Sequence, residues 1–384
     1  MIALCTITAI IVIAIPMMSL SVLFDEIATE LSLSLVQVGI IWGISSFTGM
    51  FVGLLGGILA DRFGTRVILT LACLGVGIFG ASRGLATNFT GFIVSSFLLG
   101  LFGPVIGVNM HTVAGQWFSP KQLGLANGLI SSGFATGFLL GSMFAARILS
   151  PMLGSWQAVF YLYGGVAVVI AGVWWVVHPP ESAENPDTPT RMPLREGLPR
   201  VLRIRPVLLI GLGKLGIWGC VRGFTGYLPL YLRGIGWEPN AADTALSLFF
   251  VVSLLGAIPI PMLSDRIGIR KPFLIAAAFL VGGGTLLTGF VTTSLVFFTA
   301  MLAGVMFDAF MGLTTTTISE LKNVRGSLVG TALGAAFFFS DLGGTIAPPL
   351  GNALAEISAE LPFFLWGGMA ILGSLAFAAI KETK

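Results

Sequence analysis

Charge is what this chain has least of. Only 10% of its 384 residues are Asp, Glu, Lys or Arg, whereas 55% are hydrophobic and the mean hydropathy is +0.97. Soluble domains carry roughly 25% charged and 45–50% apolar residues, and no soluble fold can cover this much apolar surface. Histidine is almost missing too: His111 and His178 stand 67 positions apart, too few and too distant for the clustered side chains of a metal or acid–base centre. An enzyme is therefore not expected, nor is a cofactor or a metal site. Cys5, Cys73 and Cys220 lie singly in apolar stretches without paired spacing, which argues against a disulfide framework and leaves them as small buried hydrophobes. The net charge is only +3 and its basic residues form no patch or arm, so nucleic acid is not a partner. No polar segment is long enough to be the soluble module of a receptor or scaffold.

What the chain does have is long apolar runs. A helix needs about 20 apolar residues to cross a bilayer, and twelve such spans can be drawn, at about 2–24, 36–60, 66–86, 90–113, 122–149, 156–177, 206–232, 241–263, 271–290, 294–318, 326–352 and 360–380. The fold class is therefore all-α integral membrane. The first span starts almost at Met1 without a basic leader or a small-residue cleavage motif, and it is too long for a signal peptide.

A charged turn occurs twice. Gly57-Ile-Leu-Ala-Asp61-Arg62-Phe63-Gly64-Thr65-Arg66 recurs 204 residues later as Pro261-Met-Leu-Ser-Asp265-Arg266-Ile267-Gly268-Ile269-Arg270. An offset of a little over half the chain marks two tandem copies of one helical bundle, an internal repeat of the kind secondary transporters are built from. The turn resembles the G-x-x-x-D-[RK]-x-G-x-[RK] signature of the major facilitator superfamily. The first copy matches every fixed position, and the second has Pro261 for the leading Gly. The likeness covers nearly the whole chain for fold and almost none of it for substrate. It implies two six-helix bundles, residues 1–177 and 206–384, joined by a linker at 178–205, with a central cavity and transport by alternating access.

Orientation follows from Lys and Arg. With the two repeated turns assigned to the cytoplasm, fifteen of the twenty basic residues fall on that side, and only Arg83, Arg147 and Arg233 lie at the opposite ends. This asymmetry puts both termini inside, in a multi-pass protein of the inner (plasma) membrane. The linker carries Pro179-Pro180, Glu181, Glu184, Pro186, Asp187, Pro189, Pro193 and five Arg, a composition that cannot form a core of its own.

In the family that the turns resemble, the repeated carboxylates hold the cytoplasmic side shut. Carried onto this chain, that role falls to Asp61, Arg62, Arg66, Asp265, Arg266, Arg270, Glu320 and Arg325. The chemistry suits it, since a carboxylate at a helix end accepts backbone N–H bonds and a basic partner. The plainer alternative is that these charges only fix topology. Glycines at 128, 133, 137 and 141 in the fifth span, and at 330, 334, 343, 344 and 351 in the eleventh, read as surfaces for close helix approach, with Pro348-Pro349 allowing a kink.

Substrate chemistry is expected from polar groups at membrane depth, which are costly and functional by default. Lys214 and Arg222 lie about 8 Å and 5 Å from the middle of the seventh span at 1.5 Å per residue, and about 80° apart around its axis. They can share one side with Trp218 and Thr225, or else snorkel to opposite surfaces. Asp308 and Asp341 are the matching acids in the tenth and eleventh spans. Burial without a partner favours the protonated carboxyl, and a nearby Lys or Arg favours the carboxylate, a conditional behaviour that proton coupling requires. Two structural ion pairs are the alternative. The substrate-binding set is then Arg222, Lys214, Trp218, Asn109 and Tyr227, and the proton-coupling set is Asp308, Asp341 and His111, with Asp308 carrying the proton and Asp341 tuning it.

Marks of several subfamilies are missing. Drug antiporters of the superfamily carry a Gly-Pro pair in the fifth span and an Arg early in the fourth; here those places hold Gly137-Phe138 and Ser96. The Gln and Asn clusters of sugar porters are absent from the seventh span, as are the Arg residues that nitrate carriers place in the second and eighth. What remains is a likeness to bacterial carriers of small organic anions, read as a monomer in the lipid bilayer that moves its substrate with protons. Export of an amphipathic or cationic solute is the alternative. The topology has a direct test: single cysteines introduced at 180–192 in a cysteine-free background should be labelled by a membrane-impermeant maleimide only after the cells are opened, and labelling in intact cells would overturn it.

Overall fold

A computed structural model describes residues 1–177, 194–321, 323–324 and 328–380; the side chains at 53–58, 61, 120–121 and 194–195 lie outside that description. The described residues are helical, and no strand occurs among them. Twelve helices are long and apolar enough to cross a membrane: Ile2–Glu30, Leu35–Phe63, Thr65–Leu85, Phe89–Trp117, Gln122–Leu153, Trp156–Val176, Arg205–Gly234, Pro239–Ile267, Lys271–Thr288, Leu295–Glu320, Val329–Leu354 and Leu361–Ala378. They match the twelve expected spans to within several residues, with the first running six further. Helices dominate because a hydrocarbon solvent offers no partner to a backbone N–H or C=O, so each segment has to satisfy its own. A short helix, Leu194–Val201, precedes the seventh span; the linker residues 178–193 lie outside the described residues.

Helix ends follow local chemistry. Ser34 opens the second span with a capping box, its hydroxyl accepting from Gln37 N at 3.2 Å while Gln37 Oε1 accepts from Ser34 N at 2.9 Å. Asn88 caps the fourth span through Gly91 N and Ser155 the sixth through Ala158 N. The glycine of each repeated turn has a positive φ, +83° at Gly64 and +75° at Gly268, a backbone state that side chains with a Cβ avoid. That geometry is why the motif needs Gly at this place.

Three spans are interrupted, which apolar runs do not reveal. The fourth breaks at Leu101-Phe102 before Gly103-Pro104, the eighth between Gly256 and Pro259, and the tenth at Val305-Met306. The fourth and tenth breaks are related by the same 204-residue offset as the turns. By contrast the eleventh helix runs unbroken through Pro348-Pro349.

By Cα proximity the chain divides into two compact units, Met1–Ala183 with Pro229–Ser247, and Glu184–Leu228 with Leu248–Lys384. Each repeats one set of close crossings. In the first unit the third and sixth spans meet at Gly77 and Gly164, where a Cβ would come within 2.9 Å and 2.6 Å of the opposing carbonyl; in the second the ninth and twelfth meet at Gly282 and Gly367, at 2.7 Å and 2.6 Å. The fifth span lays Gly133, Gly137 and Gly141 on the first, and the eleventh lays Gly343 on the backbone of Leu215 in the seventh. Small residues therefore act as approach surfaces in both units.

Candidate functional site

The seventh span brings two cations into an apolar interior. Lys214 is 1% and Arg222 2% exposed, so both side chains are enclosed by protein. Asp341 on the eleventh span lies within electrostatic reach of both. Lys214 Nζ lies 4.1 Å from the centroid of the Phe337 ring, one turn before Asp341 on the same helix face. Trp218 stacks on Phe307 of the tenth span, with centroids 5.7 Å apart and planes at 22°. Among the described residues, neither the buried Trp218 Nε1 nor the buried Ser340 hydroxyl has a hydrogen-bond partner. The other polar groups of this span are turned inward on structure: Thr225 Oγ1 donates to the Val221 carbonyl at 2.7 Å, and Tyr227 donates to the Ala359 carbonyl at 3.2 Å with its ring against Phe363 and Trp366.

Asp308 sits elsewhere in the second unit. It occupies the first turn after the break in the tenth span, where freed N–H groups need acceptors. Ser253 of the eighth span answers that need twice, accepting from Asp308 N at 3.1 Å and donating to Asp308 Oδ2 at 2.7 Å. An acid in a helix's first turn also suits the macrodipole. The pair pins the broken tenth helix to the eighth.

The 204-residue offset shows how far the two halves have diverged here. In the first half, Ile10, Met18 and Gly137 stand where the second has Lys214, Arg222 and Asp341. There the fifth span rests on the first through Gly137, whose Cβ would come within 2.9 Å of the Ile10 carbonyl. One half has a bare helix crossing where the other has three charges. Polar groups of the first half lie in its fourth span. Asn109 is fully buried and donates to the Val105 carbonyl at 2.8 Å. The Nδ1 atom of the exposed His111 lies 2.9 Å from Asn127 Oδ1.

The repeated turns differ as well. In the second half Arg270 joins Glu320, through Nη2 at 2.9 Å and Nε at 3.3 Å, to Asp265 and to Ser264 Oγ. The hydrogen bond to Glu320, with that to Asp265 behind it, holds the Arg270 guanidinium above its ordinary range. In the first half the place of Glu320 is taken by Gln116, which accepts from Thr65 Oγ1 at 3.2 Å. Arg66 there donates to the Trp175 carbonyl at 2.7 Å and lies 4.8 Å from the Trp175 ring centroid. Arg62 lies over Phe63 at 5.4 Å, and Arg266 is exposed. The Asp61 side chain and Arg325 lie outside the described residues.

Family comparison agrees with this architecture across the chain. The model of the Major Facilitator Superfamily matches residues 2–244 and 232–384. The chain belongs to the Major Facilitator Superfamily. It is a multi-pass membrane transporter, not an enzyme. Relatives include the hexuronate transporter of Bacillus subtilis (strain 168), 24% identical over 93% of this chain and 89% of the relative. Another is the cis,cis-muconate transport protein of Acinetobacter baylyi, 23% identical over 96% and 91%. A crystal structure of the nucleoside transporter NupG superposes with a TM-score of 0.80 at 13% identity, covering 98% of this chain and 99% of that one. At that identity the likeness is one of fold.

One cluster of this superfamily member was not anticipated from sequence. Arg233, at the end of the seventh span, donates to Asp243 Oδ1 at 2.7 Å and to the Val22 carbonyl at 2.8 Å. Ser247 donates to the Asp243 carbonyl at 2.8 Å and meets Ser142 at 3.0 Å. These bonds explain why 229–247 belongs to the first compact unit. The signal in the sequence is slight, an acid ten residues after an Arg, close enough to a loop to read as solvated. With side chains 8% and 5% exposed, the pair is buried, and removing one partner of such a pair costs about 3–5 kcal/mol. Arg233→Ala should therefore lower the unfolding midpoint of the detergent-purified protein well below that of Arg233→Ala/Asp243→Ala, which removes both charges; equal midpoints would count against a buried pair.

Proposed function

We propose that the protein is a proton-coupled symporter of small organic anions, in which Arg222 and Lys214 attract the anion and Asp341 takes the coupling proton. The observation that carries this is Asp341 facing two buried cations at positions where the first half has only Ile10, Met18 and Gly137. The names of the hexuronate and muconate relatives, both organic anions, support the substrate class. Locating the proton on Asp341 departs from the expectation for Asp308, whose carboxylate is engaged by Ser253 and whose place at a helix break gives it a structural role.

The mechanism is competition. A substrate carboxylate that engages Arg222 and Lys214 weakens their hold on Asp341, and a carboxylate left in an apolar interior is neutralised by a proton. Anion and proton then favour each other's binding, with a coupling on the order of 1–3 kcal/mol. Arg222 offers a planar fork suited to a carboxylate and Lys214 a point charge. The Asp265–Arg270–Glu320 cluster acts in this reading as a switch that closes between transport steps, in a plasma-membrane protein with cytoplasmic termini.

Purified protein in proteoliposomes with an imposed proton gradient tests the assignment. Asp341→Asn should abolish accumulation against a gradient while counterflow exchange persists, and Arg222→Ala should cut anion exchange by about 10–100-fold, the loss of a charged hydrogen bond of about 1.5–3 kcal/mol. Full accumulation by Asp341→Asn, or normal anion transport by Arg222→Ala, sinks the proposal. Uptake of lipophilic cations alone would favour the export reading.

The switch is tested separately. Asp265→Asn and Glu320→Gln should each slow net transport several-fold and leave equilibrium substrate affinity within a few-fold of wild type. Loss of binding in a folded variant would remove these residues from a gating role.

A further inference from the structure

The cations of the second unit are set among aromatic rings. Phe337 covers the Lys214 ammonium, within the roughly 6 Å over which a ring face attracts a cation, yet the ring itself is 44% exposed. Its free area lies on the same helix face as Asp341. On the seventh span Trp218 presents an indole stacked on Phe307 and a buried Nε1–H with no partner among the described residues. The Ser340 hydroxyl is the other buried group without a partner. Thr225, which might have served a substrate hydroxyl, is bonded to its own helix.

This inventory discriminates between anions of equal charge. A polyhydroxylated acid taken from water carries four or five hydroxyls that each need a partner, and every one left unbonded weakens binding. A flat acid needs the cations for its carboxylate and aromatic faces for its body, and rings stack on rings in offset or edge-on geometry. We infer that this site selects flat, unsaturated or aromatic carboxylates over polyhydroxylated or saturated ones, with Phe337 as the residue that sets the preference and Trp218 Nε1 as a donor to the substrate. The inference rests on the anion reading above and narrows it.

Counterflow exchange in proteoliposomes with three probes tests it: benzoate, cyclohexanecarboxylate, which has the same charge and nearly the same size without the π face, and gluconate. Benzoate should be exchanged with a kcat/KM at least tenfold above cyclohexanecarboxylate, and gluconate should rank below both. Phe337→Leu should bring the benzoate-to-cyclohexanecarboxylate ratio close to one, and Phe337→Tyr, which keeps the ring, should preserve it. Trp218→Phe should raise the KM for benzoate several-fold and leave that ratio unchanged. Equal exchange of benzoate and cyclohexanecarboxylate, gluconate as the best probe, or a ratio unmoved by Phe337→Leu would each overturn the inference while leaving the anion reading in place. Exchange of none of the three, with uptake of a lipophilic cation, would sink both.

Discussion

Two positive charges buried in an apolar bundle with one facing acid constrain everything else in the second half of this chain. A charge removed from water is tolerated only beside a partner, and taking one member away leaves the rest uncompensated. The Lys214–Arg222–Asp341 group therefore cannot simply lose Asp341 as a counter-charge. In the proposed mechanism an anion takes its place and the displaced acid becomes neutral. A bare ion pair would only be structure. In the proposed mechanism the two cations and the acid form a site that is complete only when an anion and a proton arrive together.

The internal repeat shows that this arrangement is an addition to the fold and not a requirement of it. Where the second half places Asp341 and Lys214, the first rests Gly137 on the backbone of Ile10. Both halves hold this pair of helices together by close approach, Gly137 on Ile10 in one and Gly343 on Leu215 in the other, and the second half adds charge. Other crossings keep the shared solution, as Gly77 on Gly164 and Gly282 on Gly367 show.

Much of this was legible in the sequence, for identifiable reasons. Apolar runs announce spans because the bilayer sets a minimum length, and the charged turn stood out because it returns 204 residues later. Lys214, Arg222, Asp308 and Asp341 were visible as charges where charge is costly. Which acid faces the cations was not visible, because it depends on the break before Phe307, which turns Asp308 into a first-turn residue within reach of Ser253. Hydropathy averages over such a break. The Arg233–Asp243 pair escaped for the opposite reason, since a charge near a span's end looks solvated until the neighbouring helix, here through Val22, is in place. Applying the repeat offset to Lys214 and Asp341 as well as to the turns would have exposed the contrast with Ile10 and Gly137.

The strengths of the two ion clusters suit different tasks. Arg233 and Asp243 are almost wholly buried, and breaking such a pair costs several kcal/mol. In the turn cluster the Asp265 and Glu320 side chains are 60% and 47% exposed, and exposed pairs contribute about 0–1 kcal/mol each. A transporter has to visit two states that differ by no more than a few kcal/mol, because shifting a population from 1:99 to 99:1 already takes about 5.5 kcal/mol of differential binding. A latch as strong as a buried pair would hold one state against any substrate. Arg270 between two exposed carboxylates is weak enough to open and directional enough to reclose.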